Sequence, residues 1–141
     1  MRVYRLWIGI TLLILAGFGC RENVPQPSFR VGFSQCCDDA WRDVMNGEME
    51  RELFFHPEVE LRMKVADNDS ELQVRQIDSL VRGGIDLLLV SPNESIPLTP
   101  IIDSIYQLGI PVILIDRATD SPLYTAYIGA DNFEVGQTAG Q

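Results

Sequence analysis

With 141 residues the chain has room for about one domain, and 46% hydrophobic with 22% charged residues is the composition of a globular chain. The 20 acidic against 11 basic side chains leave a formal net charge of −9. The acids are spread along the chain rather than gathered in a tail. This argues against nucleic acid as a partner, because phosphates demand a face rich in Lys and Arg.

The first twenty residues, MRVYRLWIGITLLILAGFGC, place Arg2 and Arg5 ahead of an apolar core from about Leu6 to Phe18. That core is shorter than the about 20 apolar residues a spanning helix needs, so residues 1–20 are expected to be a secretory signal. Gly19-Cys20 resembles the end of a lipoprotein signal, in which Cys20 is acylated after cleavage. The competing reading is an uncleaved signal anchor with Cys20 an ordinary residue. Residues 21–28, RENVPQPS, are polar and carry two prolines, the composition of a tether.

From Phe29 onward strand and helix signals alternate. FRVGFS is a short β-prone run leading into Asp38-Asp39, good N-cap residues. A helix is predicted from there to about Phe55, with Trp41, Val44, Met45 and Met49 as its inner stripe. In VELRMKVA, Val59, Leu61, Met63 and Val65 alternate with Glu60, Arg62 and Lys64, which predicts a half-exposed edge strand. Ser70 and Gln73 fit a capping box opening a second helix, with Leu72, Ile77, Leu80 and Val81 inside and Gly83-Gly84 closing it. Leu87 to Val90 is a continuous apolar strand. Thr99-Pro100 are expected to open a third helix with Ile101, Ile102, Ile105 and Leu108 inward, stopped by Gly109. PVILIDRATD supplies the fourth strand and YTAYIGA the fifth. Asn132 begins a last helix that is still running at Gln141, so the chain is expected to be a truncated product.

This order predicts a doubly wound α/β domain over residues 29–141. It has a mostly parallel five-stranded sheet covered by helices on both faces. In such sheets ligands bind beyond the carboxyl ends of the strands, at the topological switch point. Ser34 to Asp38 follow the first strand and Asp67 to Asp69 the second. Ser91, Asn93 and Glu94 follow the third, Asp116 and Arg117 the fourth, Asp131 and Asn132 the fifth. Gln35, Asp38, Ser91, Asn93, Asp116, Arg117, Asp131 and Asn132 are the candidate ligand contacts. Carboxylates, amides and a guanidinium suit vicinal hydroxyls, and Trp41 offers a face for a sugar's C–H surface. Each has a plainer reading: core packing for Trp41, a surface ion pair for Asp116-Arg117, a turn after Pro92 for Asn93-Glu94.

Enzyme readings find less support. GFSQCCDD offers only Gly32 where a dinucleotide site needs a glycine-rich turn, and no P-loop is present. Cys36 and Cys37 are adjacent and read as small semi-buried residues. His56, the single histidine, lies a helix of about 17 residues away, roughly 25 Å, out of reach of a cysteine nucleophile. Neither a disulfide framework nor a metal site is expected, and no cofactor. A phosphoacceptor receiver would place an Asp where this chain has Ser91.

DLLLVSPNE, GIPVILIDR, YIGADN and GQTAG together resemble the N-terminal lobe of the type I periplasmic sugar-binding proteins, the family of ribose-binding proteins and the lactose-repressor core. GFSQCCDDAWRDVM, NDSELQ and SPNE look most like the sugar-sensing region of hybrid two-component histidine kinases. The resemblance implies an exported carbohydrate-binding module on the periplasmic side of the cell envelope, membrane-anchored or secreted. Asp38, Trp41, Ser91, Asp116 and Arg117 would contact ligand, and Asp131 and Asn132 would lie near the crossover to a second lobe. The implied partners are a small-molecule sugar, the membrane by signal or lipid anchor, and a kinase module or transporter permease. The alternative is the effector core of a lactose-repressor-type regulator, which requires a basic helix-turn-helix where the signal segment stands.

Overall fold

The structure, a computed structural model, describes residues 27–140. The expected signal, Cys20 and most of the expected tether lie outside the described residues. Five strands, β1 (Phe29–Gln35), β2 (Val59–Val65), β3 (Leu87–Ser91), β4 (Val112–Ile115) and β5 (Ala126–Ile128), form one sheet in the order β2-β1-β3-β4-β5. Every neighbouring pair is parallel. Four helices join or follow them: α1 (Ala40–Leu53), α2 (Ser70–Arg82), α3 (Ser95–Gln107) and α4 (Asn132–Ala139).

The winding direction reverses at β1. α1 carries the chain from β1 outward to β2; α2 then carries it back past β1 to β3. Right-handed crossovers therefore put α1 on one face and α2 with α3 on the other. Leu88 and Val90 of β3 and Val112 and Leu114 of β4 point to the second face. There they are buried against Ile77 and Leu80 of α2 and Leu98, Ile102 and Ile105 of α3. Each such side chain contributes about 1.5–3 kcal/mol by leaving water. The α2 face meets β1 closely at Gly32. A Cβ there would lie 2.8 Å from Ile85 Cδ1 and 3.4 Å from Leu80 Cβ, so a methyl at this position would have to displace the Ile85 side chain.

Four helix expectations need correction. Half of the predicted inner stripe of α1 turns outward: Trp41 and Val44 are exposed, Met45 and Met49 are half-buried, and the buried residue of this helix is Arg42. The second helix is capped by Asp69, whose carboxylate accepts the Leu72 N–H at 2.9 Å, in place of a Ser70 capping box. Gln73 is thereby free to point inward. The third helix begins at Ser95 rather than Thr99. Pro97 lies in its first turn, where no backbone donor is needed, while Pro100 forgoes one internal bond. Thr99 Oγ1 meanwhile donates to the Ser95 carbonyl at 2.8 Å. Leu108, expected inward, follows the last helical residue as the C-cap and is exposed.

Candidate functional site

The strand ends converge as the parallel order requires. Gln35 of β1 pairs in register with Ser91 of β3 on one side and Val65 of β2 on the other. Val90 pairs with Leu114, and Ile115 with Ile128. Asp116 and Gln35 therefore stand at the same pole, on either side of the β1/β3 switch point.

The chain leaves β1 through Cys36, Cys37 and Asp38 to Asp39, the N-cap of α1. One oxygen of the Asp39 carboxylate accepts the Arg42 backbone N–H at 2.9 Å and the other accepts Arg42 Nη1. Arg42 Nη2 donates to Ser91 Oγ at 3.3 Å and to Asp116 Oδ2 at 3.1 Å. One guanidinium thus fastens the ends of β1, β3 and β4. Its side chain is 6% exposed, whereas those of Asp39 and Asp116 are 45% and 42% exposed. The cation is buried and its two anions keep one side in water. The Arg42 backbone N–H, opposed by burial and helped by the guanidinium, holds the Asp39 carboxyl below the usual carboxylate range. Burial opposes the charge on Arg42, but the neighbouring Cys36 and the hydrogen bond to Asp39 outweigh it and raise its pKa.

Asp116 has a φ of 69°, in the left-handed region that few side chains adopt. Two bonds from β5 hold it there. The Asp116 N–H donates to the Ile128 carbonyl at 2.8 Å, and the Tyr127 hydroxyl donates to the Asp116 carbonyl at 2.9 Å. The Tyr127 hydroxyl also occupies the space that a Cβ on Gly129 would take, which accounts for that glycine.

A second network braces the first. Gln73, fully buried, donates to the Ser91 carbonyl at 2.9 Å and accepts the Asn93 N–H at 2.8 Å. Asn93 Nδ2 donates to the Asn68 carbonyl at 3.0 Å and to Ser70 Oγ at 2.9 Å. Arg117 Nη1 donates to the Asn93 carbonyl. Asn93 and Arg117 thus both knit loops together at this edge.

The other candidates divide. Gln35 is fully buried, and neither atom of its amide has a hydrogen-bond partner among the described residues. Trp41 is 56% exposed, so core packing is excluded; the Arg42 guanidinium lies 5.5 Å from its ring centre. Asp38 is exposed. Asp131 caps α4 by accepting the Phe133 and Glu134 N–H groups, at 2.9 and 3.2 Å, and Asn132 is the first residue of that helix. Asp131 stands outside the hydrogen-bonded networks around Arg42 and Asn93.

Arg42, Gln73 and Tyr127 are the residues that sequence reasoning missed. The spacing Asp39-x-x-Arg42 across a helix start is the one signal that pointed to Arg42. Among the described residues no group of three or more His, Cys, Asp or Glu side chains is placed to hold a metal ion. His56 is held by Glu52 and Glu58 and lines a cavity with Val59, at the opposite pole of the sheet. What the edge offers chemically is a pair of half-exposed carboxylate acceptors tied to one guanidinium, with an aromatic face beside them.

A family model described as periplasmic binding protein domain matches residues 35–141. Among solved structures, the fructose-binding periplasmic domain of a hybrid two-component system is 47% identical. It superposes with a TM-score of 0.77 over 79% of this chain and 37% of that one. The ribose import binding protein of Bacillus subtilis is 31% identical over 74 residues, 52% of this chain and 24% of that protein. The galactofuranose-binding protein of Escherichia coli is 29% identical over 120 residues, 78% of this chain and 36% of that protein. The chain thus spans about a quarter to a third of the curated relatives it matches. A match over most of the sequence, on a parallel sheet whose polar strand ends gather at one pole, makes the chain a member of the periplasmic binding protein domain family.

Proposed function

We propose that the chain is the first lobe of an exported carbohydrate-binding protein that holds a monosaccharide-like ligand against the carboxyl ends of β1, β3 and β4. The observation that carries this reading is the junction of Asp39, Arg42, Ser91 and Asp116 at the switch point. Asp116 and Asp39 accept hydroxyl donors, while Arg42 spends its fork on holding them apart. Trp41 stacks on the C–H face of the ring. Asp38 borders the opening, and the Gln35 amide lies beneath it. Asn93 and Arg117 shape the rim, and Asp131 and Asn132 begin the path to a second lobe. That lobe supplies the remaining contacts, and closure of the two is the output, because only the closed state makes both sets.

Of the two settings for such a module, the sensor input of a two-component system is favoured over a transporter's receptor. The 47% identity to a periplasmic domain of a hybrid two-component system supports it, against 31% and 29% to transport-type binding proteins. The signal over residues 1–20 and a lipid on Cys20 are part of the same proposal. The repressor alternative has no such support.

The test is a titration of the two-lobed protein with a panel of monosaccharides, D-fructose and D-ribose first, read as a shift in melting temperature. A shift with one sugar that is lost in Asp116→Ala supports the site. No shift with any sugar overturns it. The genomic sequence after Gln141 separates the settings: a second lobe, an apolar span and kinase motifs for the sensor, a stop after the second lobe for the receptor.

A further inference from the structure

The carbohydrate reading leaves Cys36 and Cys37 without a role. In a strand, successive side chains point to opposite faces. Here β1 has ended at Gln35 and the chain is turning toward α1, so the two sulfurs converge to 3.0 Å. Both thiols are free. Cys36 is fully buried, with Sγ 3.8 Å from Ser91 Oγ, and its carbonyl accepts the Asn68 N–H at 2.8 Å. Cys37 is only half-buried. One sulfur is thus part of the wall, and the other is open to a reagent.

We propose that Cys36 and Cys37 are a reversible disulfide-forming site at the end of β1, whose closure loosens the Arg42 junction and weakens carbohydrate binding. The second half rests on the function proposed above; the bond itself does not. Consecutive Cα atoms are about 3.8 Å apart, less than an ordinary disulfide spans, so the bond is strained and readily reduced. Strained bonds of this kind serve as switches rather than staples.

The oxidant is a small-molecule or protein disulfide, with oxidised glutathione the one used below. Cys37 gives up its proton, and its thiolate attacks one sulfur of that disulfide. The other sulfur leaves as a thiolate that takes up a proton. Cys36 then displaces the attached thiol from Cys37, losing its own proton as it does so. Two protein thiols have become one disulfide, and one oxidant disulfide has become two thiols. Burial, with the neighbouring Cys36, pushes the Cys37 thiol up to about 11. The first step is therefore slow at neutral pH and quickens as pH rises toward that value. Bond formation draws Cys36 Sγ from Ser91 and pulls on the loop that ends in Asp39, the partner of Arg42.

The full chain carrying Cys20→Ser is equilibrated with reduced and oxidised glutathione, quenched in acid, alkylated and digested with trypsin. The peptide from Val31 to Arg42 contains both cysteines. The expected product has lost the mass of two hydrogen atoms, takes no alkyl label, and regains both thiols with dithiothreitol. A peptide that keeps two labelled thiols, or carries glutathione on each, overturns the site. Cys37→Ser should give no ring. In Trp7→Phe chains, emission from Trp41 should shift on oxidation and stay unchanged in Cys37→Ser. In the two-lobed protein, oxidation should weaken D-fructose or D-ribose binding about tenfold, the scale of one charge-assisted hydrogen bond. A ring that forms with no change in affinity overturns the gating. Absence of sugar binding in both redox states, with the ring formed, overturns the function proposed above and leaves the disulfide standing.

Discussion

On one face of the sheet, α2 and α3 close over Leu88, Val90, Val112 and Leu114, all of them fully buried. On the other, α1 leaves a cavity of about 260 Å³ bordered by Val31, Met49, Leu53, Leu61, Leu87 and Leu89. The two faces share the same strands, and residues alternate between them, so the difference lies in the helices. α2 and α3 present regular apolar stripes and pack by burial. α1 presents Arg42 and is held at its first turn by charge. The tasks are shared unequally: the face of α2 and α3 secures the fold and braces the edge through Gln73, and α1 brings Arg42 to that edge.

The largest expected effect lies in the secured face. Leu88→Ala should cost about 2–5 kcal/mol in urea unfolding, because the site it leaves cannot collapse. Leu89→Ala, one residue along and facing the cavity, should cost about 1–2 kcal/mol, since part of its surface already lacks neighbours. Equal losses would erase the contrast between the faces.

Next is Gly32→Ala, whose methyl would press on Ile85 and Leu80 and cost about 1–3 kcal/mol by overpacking. Combining it with Ile85→Val should recover part of the loss; no recovery would place the strain elsewhere.

Arg42→Met is expected to lose about 1 kcal/mol of stability, because the carboxylates it releases are already half in water. Its effect on ligand affinity in the two-lobed protein should be far larger than that on melting. A variant that unfolds outright would assign Arg42 to the core instead of the site.

The smallest effect is a dependence on acid. The folded pKa of Asp39 is depressed, so the stability it contributes is fully present above its unfolded value and is lost as pH falls through the folded one. Melting curves of the chain and of Asp39→Asn should therefore draw together on acidification below the ordinary carboxylate range. Curves that stay parallel would mean that Asp39 is not tied to Arg42 in solution.

The sheet was legible because buried parallel strands write themselves as continuous apolar runs, Leu87–Val90 and Val112–Ile115, and because VELRMKV alternates as an edge strand must. Once the strands were known to be parallel, the polar ends of β1, β3 and β4 had to share a pole. Arg42 was not legible. Its partners Ser91 and Asp116 are 49 and 74 residues away, and a helix-period reading ranks an arginine as outward-facing by default. Asn93 and Arg117 were placed at the right edge, but their loop-bracing bonds to Asn68, Ser70 and one another depend on turn geometry that spacing does not encode. The start of α3 was misread because Pro100 looked like an N-terminal residue, whereas Pro97 fills that place and the helix tolerates both.

The left-handed turn at Asp116 has a mechanical meaning. Its amide and its carbonyl are both gripped by β5, through Ile128 and Tyr127, so the carboxylate and the short edge strand move as one piece. The segment from Gly129 to Asp131 continues directly from that strand into α4. A pull on the chain beyond β5 is thereby felt at the Asp116 oxygen, and a load on that oxygen is passed outward along the same few bonds.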